Sequence, residues 1–298
     1  MPEARQPASL ALIRGPQFAA ATAMTQPNSG ARPKTLLFVD VDGTFLHDSE
    51  SDQTRIDRLG VLLELASVVF VSSRTVPELH RWSRRLGFGG DFIAENGAFT
   101  VVRCDQLAAC YDGPFAQLLG ADGLPWFLHG AGAPAAEIVE QADRTLAETG
   151  GGGPFTRRLL EAGRRGRRAS LRLPASLART AAGSEAVARL RSGGLKATVG
   201  GRWLTIWNGP DKGEAVRRYA AARCRLEGAP SQLAAAGNAD NDAPMLAVVE
   251  HKWAFPDPTG GYPATLANVP GVGLLPPGPA EGWAVIVGEL ASIKEGRS

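Results

Sequence analysis

Residues 35–47, TLLFVDVDGTFLH, constrain the fold more than any other stretch of this sequence. The apolar run at 36–39 predicts a strand that is buried on both faces, as in the middle of a parallel sheet. This strand leads into Asp40 and Asp42, which are followed by Gly43. Ligands of open parallel sheets bind at the carboxyl ends of the strands. We therefore expect a crevice with two carboxylates at the end of a central strand.

The spacing of the two acids predicts their chemistry. Side chains two apart on a strand point the same way, so Asp40 and Asp42 should face one crevice, where their charges repel unless a cation or a shared proton relieves them. A magnesium ion with a phosphate ester satisfies this demand, with one Asp as nucleophile and metal ligand and the other as general acid and base. Gly43 lets the backbone approach the ligand closely. The simpler alternative is a strand that ends in an Asp-Gly turn.

Helical and strand patterns alternate after this first strand. Apolar spacing and capping signals predict a helix, a buried strand and a second helix, at 53–66, 67–71 and 75–86. This order predicts right-handed crossovers and an α/β fold with a doubly wound, Rossmann-like parallel sheet. Ser72 and Ser73 follow the second strand. The Ser72 hydroxyl is placed to donate to a phosphate beside Asp40, and a turn cap is the alternative.

Glycine and proline become frequent between residues 104 and 202. Because ~100 residues suffice for a domain, we predict an inserted α/β cap at 104–202, between core parts at 34–103 and 203–298, with a strand at 203–207 returning to the core. Residues 1–33 are predicted to be a disordered extension. Six arginines of the cap either bind an anionic substrate or, as the pattern favours, form a solvated helix face: Arg157, Arg158, Arg164, Arg165, Arg167 and Arg168.

The second core part contains two further features that predict site residues. Lys212 opens a helical pattern although the helix macrodipole disfavours a cation there, so we predict that it pairs with a phosphate and with the first acid; an exposed lysine is the alternative. A strand then ends at the loop 237–242, GNADND, which adds oxygen ligands for a hard cation. The alternative for this loop is an N-cap formed by Asn241 or Asp242.

Composition narrows the classes of partner. The net charge of +2 and the pI near 8.5 do not indicate binding to nucleic acid or to a membrane. No apolar run approaches the ~18 residues of a bilayer span. Three cysteines without metal-ligand spacing predict reduced thiols and a cytoplasmic location. We expect a monomer or homodimer that acts on a small phosphorylated molecule.

Five spaced motifs resemble, in order, the phosphatase motifs of the haloacid dehalogenase (HAD) superfamily: DVDGT at 40–44, the hydroxyl of Ser72, ENGA at 95–98, DKG at 211–213 and GNADND at 237–242. The position and size of the insert resemble the class 2 α/β cap of sugar phosphatases. More narrowly, three segments look like those of mannosyl-3-phosphoglycerate phosphatases: GGRW at 200–203, NDAPML at 241–246 and PGPAEGW at 277–283. The resemblance covers residues 35–293.

The resemblance implies a Mg²⁺-dependent phosphoric monoester hydrolase with an aspartyl-phosphate intermediate. Asp40 would attack phosphorus, and Asp42 would protonate the leaving alcohol and later activate water. The implied phosphate-binding residues are Gly43, Ser72, Ser73 and Lys212. The implied Mg²⁺ ligands are Asp40, Asp42 through its carbonyl, Asn238 and Asp242.

The sequence departs from the superfamily pattern at Asn238, where the usual loop has an acid. A neutral oxygen replaces a negative ligand, so we expect weaker Mg²⁺ binding, with Asp40 and Asp242 as the remaining carboxylates. A second departure lies at 167–170, Arg-Arg-Ala-Ser, where the closer relatives have an acid in the cap strand. Two other hypotheses stay open: a sugar-phosphate binding protein with a weakened catalytic site, and a phosphomutase, which shares the aspartyl-phosphate chemistry.

Overall fold

The computed structural model describes residues 35–113, 115–119, 125–147, 158, 170–200, 203–227, 232–257 and 259–296. The extension at 1–33, predicted to be disordered, lies outside these residues, as do five of the six cap arginines. The sixth, Arg158, is exposed. The choice between an anion-binding cluster and a solvated helix face therefore stays a prediction.

The described residues form two β-sheets. Their strands are β1 Thr35–Asp40, β2 Ser67–Val71, β3 Phe92–Ala94, β4 Phe99–Val102, β5 Ala116–Leu119, β6 Pro125–Gly130, β7 Ser170–Pro174, β8 Lys196–Gly200, β9 Trp203–Trp207, β10 Gln232–Gly237, β11 His251–Ala254 and β12 Gly273–Leu274. The larger sheet has the strand order β12-β11-β10-β1-β2-β3-β4-β6-β5, and the smaller has the order β7-β9-β8.

Strand β1 lies inside the larger sheet, between the parallel strands β10 and β2. All six of its residues are buried because the side chains alternate between two apolar layers. Leu37 and Val39 belong to one layer, and Leu36 and Phe38 belong to the other. A strand covered on both faces has no polar side, which explains the continuous apolar run. The predicted α/β fold with a doubly wound parallel sheet is confirmed, since the pairing is parallel from β12 to β3.

Helices cover both faces of this sheet. The described α-helices are α1 Asp52–Leu65, α2 Val76–Arg85, α3 Asp105–Ala108, α4 Ala135–Ala147, α5 Ala175–Ala178, α6 Ala181–Ser192, α7 Lys212–Glu227, α8 Ala243–Leu246, α9 Ala264–Ala267 and α10 Pro279–Lys294. One layer contains α1, α2 and α10, and the other contains α3, α7, α8 and α9. The predicted capping box is present at the start of α2, where the Thr75 N–H donates to Glu78 Oε2 over 2.8 Å.

The larger sheet continues beyond its parallel part through three antiparallel pairings. Strand β4 pairs with β3 and β6, and β6 pairs with β5. Strands β5 and β6 therefore belong to the core sheet, and the predicted boundary at 104 is wrong for them. Frequent glycine and proline indicate turns, but they do not distinguish an added hairpin at a sheet edge from an inserted domain.

The smaller sheet consists of β9 between the antiparallel strands β7 and β8. The prediction that residues 203–207 return to the core sheet is therefore wrong. Leu204 and Ile206 of β9 are fully buried, in one apolar cluster with Ile138 of α4 and Leu190 of α6. Alternation of apolar residues shows that a strand has one buried face, but it does not show which sheet the strand joins.

Two properties of the described residues bear on the chain's environment. Among its described helices, none combines the length and the apolar character that crossing a bilayer requires. The three cysteines are unpaired: Cys104 and Cys110 are partly buried, and Cys224 is exposed.

Candidate active site

Three predicted site segments meet at one edge of the larger sheet. Asp40 is the last residue of β1 and pairs in register with Val71, so Ser72 lies at the neighbouring strand end. On the other side of β1, the parallel strand β10 leads directly into the loop 237–242. Parallel strands end at the same edge, and this edge therefore collects the first acid, the hydroxyl and the acidic loop, as the sequence predicted.

Lys212 joins the two carboxylates of this edge. Its side chain is fully buried, and Nζ donates to Asp40 Oδ1 over 2.6 Å and to Asp242 Oδ1 over 2.5 Å. Asp40 is 5% exposed and Asp242 is fully buried. The alternative of an exposed surface lysine is thus wrong, and the predicted contact with Asp40 is present. Two buried carboxylates explain why a cation opens helix α7 despite the macrodipole.

Two glycines place the start of helix α7. A Cβ on Gly213 would lie 2.2 Å from the Pro244 carbonyl oxygen, so α7 and α8 touch through their backbones. A Cβ on Gly97 would lie 2.5 Å from the Asp211 carbonyl oxygen, which packs the ENG turn against the residue before Lys212. Such close backbone approach requires glycine. The lysine backbone is therefore held from two sides, and its ammonium group has a defined position.

Burial and charge shift both ionisable partners of this pair. Burial raises the pKa of Asp40 to about 7, and the charge of Asp242 adds to the shift, whereas Lys212 opposes it. Burial by itself lowers the pKa of Lys212, but the charges of Asp242 and Asp40 outweigh it and raise the pKa above its usual value. Lys212 is therefore charged beside two acids, and a further cation near Asp40 would relieve the remaining negative charge.

Asp42 has a partner that the sequence did not reveal. Arg74 forms a bidentate pair with it, from Nε to Oδ2 over 2.9 Å and from Nη2 to Oδ1 over 2.6 Å. The Asp42 side chain is 51% exposed, in contrast to Asp40. The hydrogen bond to Asp42 is the main cause of the raised pKa of Arg74. The sequence indicated a role for Arg74 only through its position, because it follows Ser72 and Ser73 at the same sheet edge.

The predicted phosphate-binding residues have mixed surroundings. Ser72 is fully buried, and its Oγ accepts the Arg74 N–H over 3.1 Å, so the turn-cap alternative is present while the hydroxyl proton remains available to donate. The Ser73 carbonyl accepts a hydrogen bond from Arg172 of β7. Gly43 has a positive φ of 83°, and its N–H donates to the Leu46 carbonyl over 3.0 Å. Contact of any of these residues with phosphate stays a prediction.

The loop 237–242 is folded around Asp242. Its Oδ2 accepts the N–H groups of Asn238 and Ala239, both over 2.9 Å, while its other oxygen accepts from Lys212. Asp242 thus caps its own loop and also belongs to the charged cluster. Asn238 Oδ1 accepts from the Thr44 hydroxyl over 3.2 Å, which places the amide beside the DVDGT turn.

A strained turn supports this loop from the other side. Glu95 and Asn96 have positive φ values of 50° and 59°, which is uncommon for residues other than glycine and clusters at functional sites. The Asn96 N–H donates to the Ser72 carbonyl over 3.0 Å, and its side-chain Oδ1 accepts from Asn241 Nδ2 over 2.9 Å. Asn241 therefore links two site segments and is not the cap of the next helix, whose N-cap position is Asp242.

The possible metal ligands at this edge are oxygen atoms, the donors that Mg²⁺ prefers. The described part of the chain has no group of three or more His, Cys, Asp or Glu side chains arranged to hold a metal ion. Asp242 accepts three hydrogen bonds and so retains about one of its four acceptor positions for a cation, whereas Asp40, which accepts one from Lys212, retains more. The Asp42 carbonyl and Asn238 Oδ1 add neutral oxygens. Such an all-oxygen set fits Mg²⁺, which often retains several waters, and disfavours thiophilic metals.

Comparisons with known proteins place the fold. No protein-family model matches the sequence, and neither does any curated protein. Among solved structures, the HAD phosphatase BT1666 from Bacteroides thetaiotaomicron has a TM-score of 0.59 at 18% identity, covering 91% of this chain and 99% of its own. A protein described as a HAD/COF-like hydrolase, from Plasmodium vivax, has a TM-score of 0.57 at 17% identity, covering 88% and 96%.

A third solved structure has the same architecture. The subclass IIB sugar phosphatase BT4131 has a TM-score of 0.51 at 12% identity, covering 89% of this chain and all of its own. At these identities the likeness shows the fold alone. The chain therefore has the Rossmann-like core with a cap that is found in HAD hydrolases.

Proposed function

We propose that this protein is a Mg²⁺-dependent phosphomonoesterase that hydrolyses a small phosphorylated sugar or sugar acid. The observation that carries the proposal is the buried cluster of Asp40, Lys212 and Asp242 at the end of a central strand, with Asp42 two residues further on. Phosphoryl transfer demands mainly positioning and neutralisation of charge, and this cluster offers both. The likeness in fold to BT4131, which is named as a sugar phosphatase, supports the substrate class.

In the proposed reaction Asp40 is the nucleophile. Lys212 holds its Oδ1, so Oδ2 is directed at phosphorus and forms the aspartyl-phosphate as the phosphorus–oxygen bond to the alcohol breaks. Asp42 gives its proton to the leaving alcohol oxygen and then takes a proton from the water that hydrolyses the intermediate. Arg74 holds the Asp42 carboxylate at the rim of the crevice between these steps.

The remaining proposed roles concern the phosphoryl oxygens. Ser72 donates its hydroxyl proton to one of them, and the Lys212 ammonium lies beside Asp40 to offset their charge. Mg²⁺ held by Asp40, the Asp42 carbonyl, Asn238 and Asp242 would neutralise further charge on the phosphoryl group. We also propose a cytoplasmic monomer or homodimer, in keeping with three unpaired thiols.

The first experiment compares wild type with Asp40→Asn in the presence of Mg²⁺. The substrates are p-nitrophenyl phosphate and a panel of sugar phosphates and sugar-acid phosphates that includes mannosyl-3-phosphoglycerate. Loss of the nucleophile should lower the rate at least about 10³-fold. Asp57→Asn is the matched control, because Asp57 is exposed on α1 and bonds only to Gln53 in the contacts described. Equal inertness of the folded wild type and of Asp40→Asn would contradict the proposal.

A second experiment uses Asn238→Asp to separate catalysis from binding. The added charge should tighten Mg²⁺ binding in calorimetry and raise the rate at limiting Mg²⁺, because Oδ1 keeps its place beside Thr44. Tight binding of a sugar phosphate without turnover in both proteins would instead indicate a binding protein. An isomerised product in place of free phosphate would indicate a phosphomutase.

A further inference from the structure

The second acid of the candidate site lies on a turn rather than on a strand. The turn at 41–46 leaves β1 and folds back on it, since the Phe45 N–H donates to the Asp40 carbonyl over 3.2 Å. Asp42 belongs to this turn and is two residues beyond the last residue of the strand. The direction of its carboxylate therefore depends on how firmly the turn is held.

Two side chains from distant helices bind consecutive carbonyl groups of this turn. The Trp283 Nε1–H of α10 donates to the Thr44 carbonyl over 3.3 Å. Arg58 Nη1 of α1 donates to the Phe45 carbonyl over 3.1 Å. Both bonds are buried, where a carbonyl group that loses its partner cannot turn to water instead. The orientation of two peptide groups next to Asp42 is therefore set by residues outside the turn.

The two donors are themselves fixed by their neighbours. Arg58 Cζ lies 5.2 Å from the centre of the Trp283 ring and 5.5 Å from the centre of the Phe45 ring. The rings of Phe45 and Trp283 pack edge to face, with their centroids 5.8 Å apart. Arg58 also forms an ion pair with Glu50, and the two side chains are 7% and 8% exposed. Neither donor can change its position without disturbing this packing.

The PGPAEGW segment brings Trp283 to this place. A Cβ on Gly282 would lie 2.5 Å from a carbon of the Phe255 ring, so helix α10 approaches the residue after β11 closely. The Phe255 and Trp283 rings are in contact, with their centroids 5.2 Å apart. The Phe255 N–H donates to the Gly237 carbonyl over 2.9 Å, at the start of the loop 237–242. Trp283 therefore contacts residues of both site segments, the turn and the end of the strand next to the loop.

The other side of the turn contacts the proposed metal ligands. The Thr44 hydroxyl donates to Asn238 Oδ1 over 3.2 Å, and a Cβ on Gly43 would lie 2.2 Å from Asn238 Nδ2. Thr44 is thus bound through its carbonyl by Trp283 and through its hydroxyl by the loop. A shift of the Thr44 peptide group would move Asp42 relative to Asn238.

We infer that Trp283 and Arg58 are positioning residues, which fix the direction of Asp42 by binding the two carbonyl groups that follow it in the turn. The inference rests on the proposed function, in which Asp42 passes a proton in each chemical step. Because both side chains are buried, they act through the turn and not on the substrate. Misplacing a reacting group by about 1 Å can lower a rate about 10²-fold. Loss of either bond should therefore lower kcat, while binding of the phosphoryl group by Ser72 and Lys212 should persist.

The first test is Trp283→Phe, which keeps an aromatic ring and removes only the N–H that binds the Thr44 carbonyl. With p-nitrophenyl phosphate and Mg²⁺, kcat should fall about tenfold and KM should change less than about twofold. Trp253→Phe is the matched control, because Trp253 is also buried and its Nε1–H donates over 3.0 Å to Glu289 of the same helix. Its kcat should stay within about twofold of wild type. An unchanged kcat in Trp283→Phe, or equal losses in both variants, would overturn the inference.

The second test uses a double variant, because removal of Arg58 alone would leave Glu50 buried without its partner. Arg58→Met combined with Glu50→Gln should lower kcat about tenfold, again with KM nearly unchanged. Arg58→Lys still offers a donor to the Phe45 carbonyl and a charge to Glu50, so it should keep at least about half of the wild-type kcat. A loss in Arg58→Lys as large as in the double variant would assign the effect to packing and overturn the role of Arg58.

Hydrogen exchange measured by mass spectrometry keeps the inference testable without turnover. In Trp283→Phe, peptides that cover 41–46 should exchange at least about fivefold faster than in wild type, while peptides of β2 should not change. Trp253→Phe should leave the exchange of 41–46 unchanged. Unchanged exchange of this turn in Trp283→Phe would overturn the inference, because the turn would then be held without the indole N–H. Faster exchange confined to 41–46, with no phosphate release by the folded wild type, would count against the proposed function alone.

Discussion

The two sheets of this protein differ in how many of their faces are covered, and the difference decides where function can lie. The larger sheet has apolar layers on both faces of β1, so only the strand ends reach a ligand. The smaller sheet packs one face on α4 and α6, and its other face carries a row of polar side chains, Arg172, Thr205 and Thr198, between tryptophans. A doubly covered sheet thus suits a few fixed reactive groups, and a singly covered sheet suits a broad recognition surface.

The strongest test of the doubly covered sheet is Lys212→Met. This change leaves Asp40 and Asp242 buried without their shared cation, and breaking a buried pair costs about 3–5 kcal/mol. We expect the free energy of unfolding, measured with urea, to fall by that amount. Lys252→Met, at a partly exposed lysine of β11, should change it by less than about 0.5 kcal/mol. Similar small changes for both variants would show that the buried cluster is not a stabilising unit.

The two faces of the smaller sheet can be compared at neighbouring residues of β9. Leu204→Ala removes a fully buried side chain from the apolar cluster that β9 forms with α4 and α6, and it should destabilise the protein by about 2–5 kcal/mol. Thr205→Val, on the opposite face, removes only a hydroxyl and should change thermal unfolding little. If Thr205→Val destabilised the protein as much as Leu204→Ala, the polar face would be a packed interior surface rather than a recognition surface.

The backbone contact that positions Lys212 can be tested with glycine substitutions. Gly213→Ala would place a Cβ 2.2 Å from the Pro244 carbonyl oxygen, and the resulting shift should cost about 1–3 kcal/mol. Gly60→Ala is the control, since a Cβ there meets nothing within 4 Å in helix α1, and it should stabilise the protein by up to about 1 kcal/mol. In thermal unfolding we therefore expect Gly213→Ala to lower the stability and Gly60→Ala to raise it. A change in the same direction for both variants would contradict the close packing of α7 on α8.

The smallest expected effect on stability is that of Arg74→Met. The pair with Asp42 is partly exposed and screened by water, so its loss should cost no more than about 1 kcal/mol. The same variant should lower the kcat of the proposed reaction about tenfold, because Asp42 loses the group that orients it. Arg84→Met, at an exposed position of α2, should change neither quantity. An unchanged kcat in Arg74→Met would show that Arg74 does not position Asp42 for the reaction.

Most of the larger sheet could be predicted because its signals are local. A continuous apolar run, a capping box and helical spacing each depend on a few neighbouring residues, and they located β1, β2, α1 and α2 closely. The segments of the site were predictable for a related reason. When parallel strands are recognised, their carboxyl ends are known to meet, whatever the details of packing.

The partners within the site were less predictable because they depend on residues far apart in the chain. Arg74 and Asp42 are 32 positions apart, and Arg172 and Ser73 are 99 apart. The position of Arg74 after Ser72 and Ser73 places it near the site, but nothing in the local sequence shows that it pairs with Asp42. The assignment of β9 failed for the same reason, since its alternating pattern fits either sheet and only the packing of Leu204 and Ile206 against the cap helices decides between them.

The sequence by itself determined the α/β class, the central position of β1 and the order in which acids, hydroxyl and lysine reach one sheet edge, because apolar periodicity and strand direction follow from covalent geometry. Only the tertiary structure decided that Lys212 is buried between two carboxylates, that Asp42 is held by Arg74 and that Arg172 of the smaller sheet contacts the Ser73 carbonyl. Those arrangements depend on burial and on which distant charges come together, and neither quantity exists until the chain has packed.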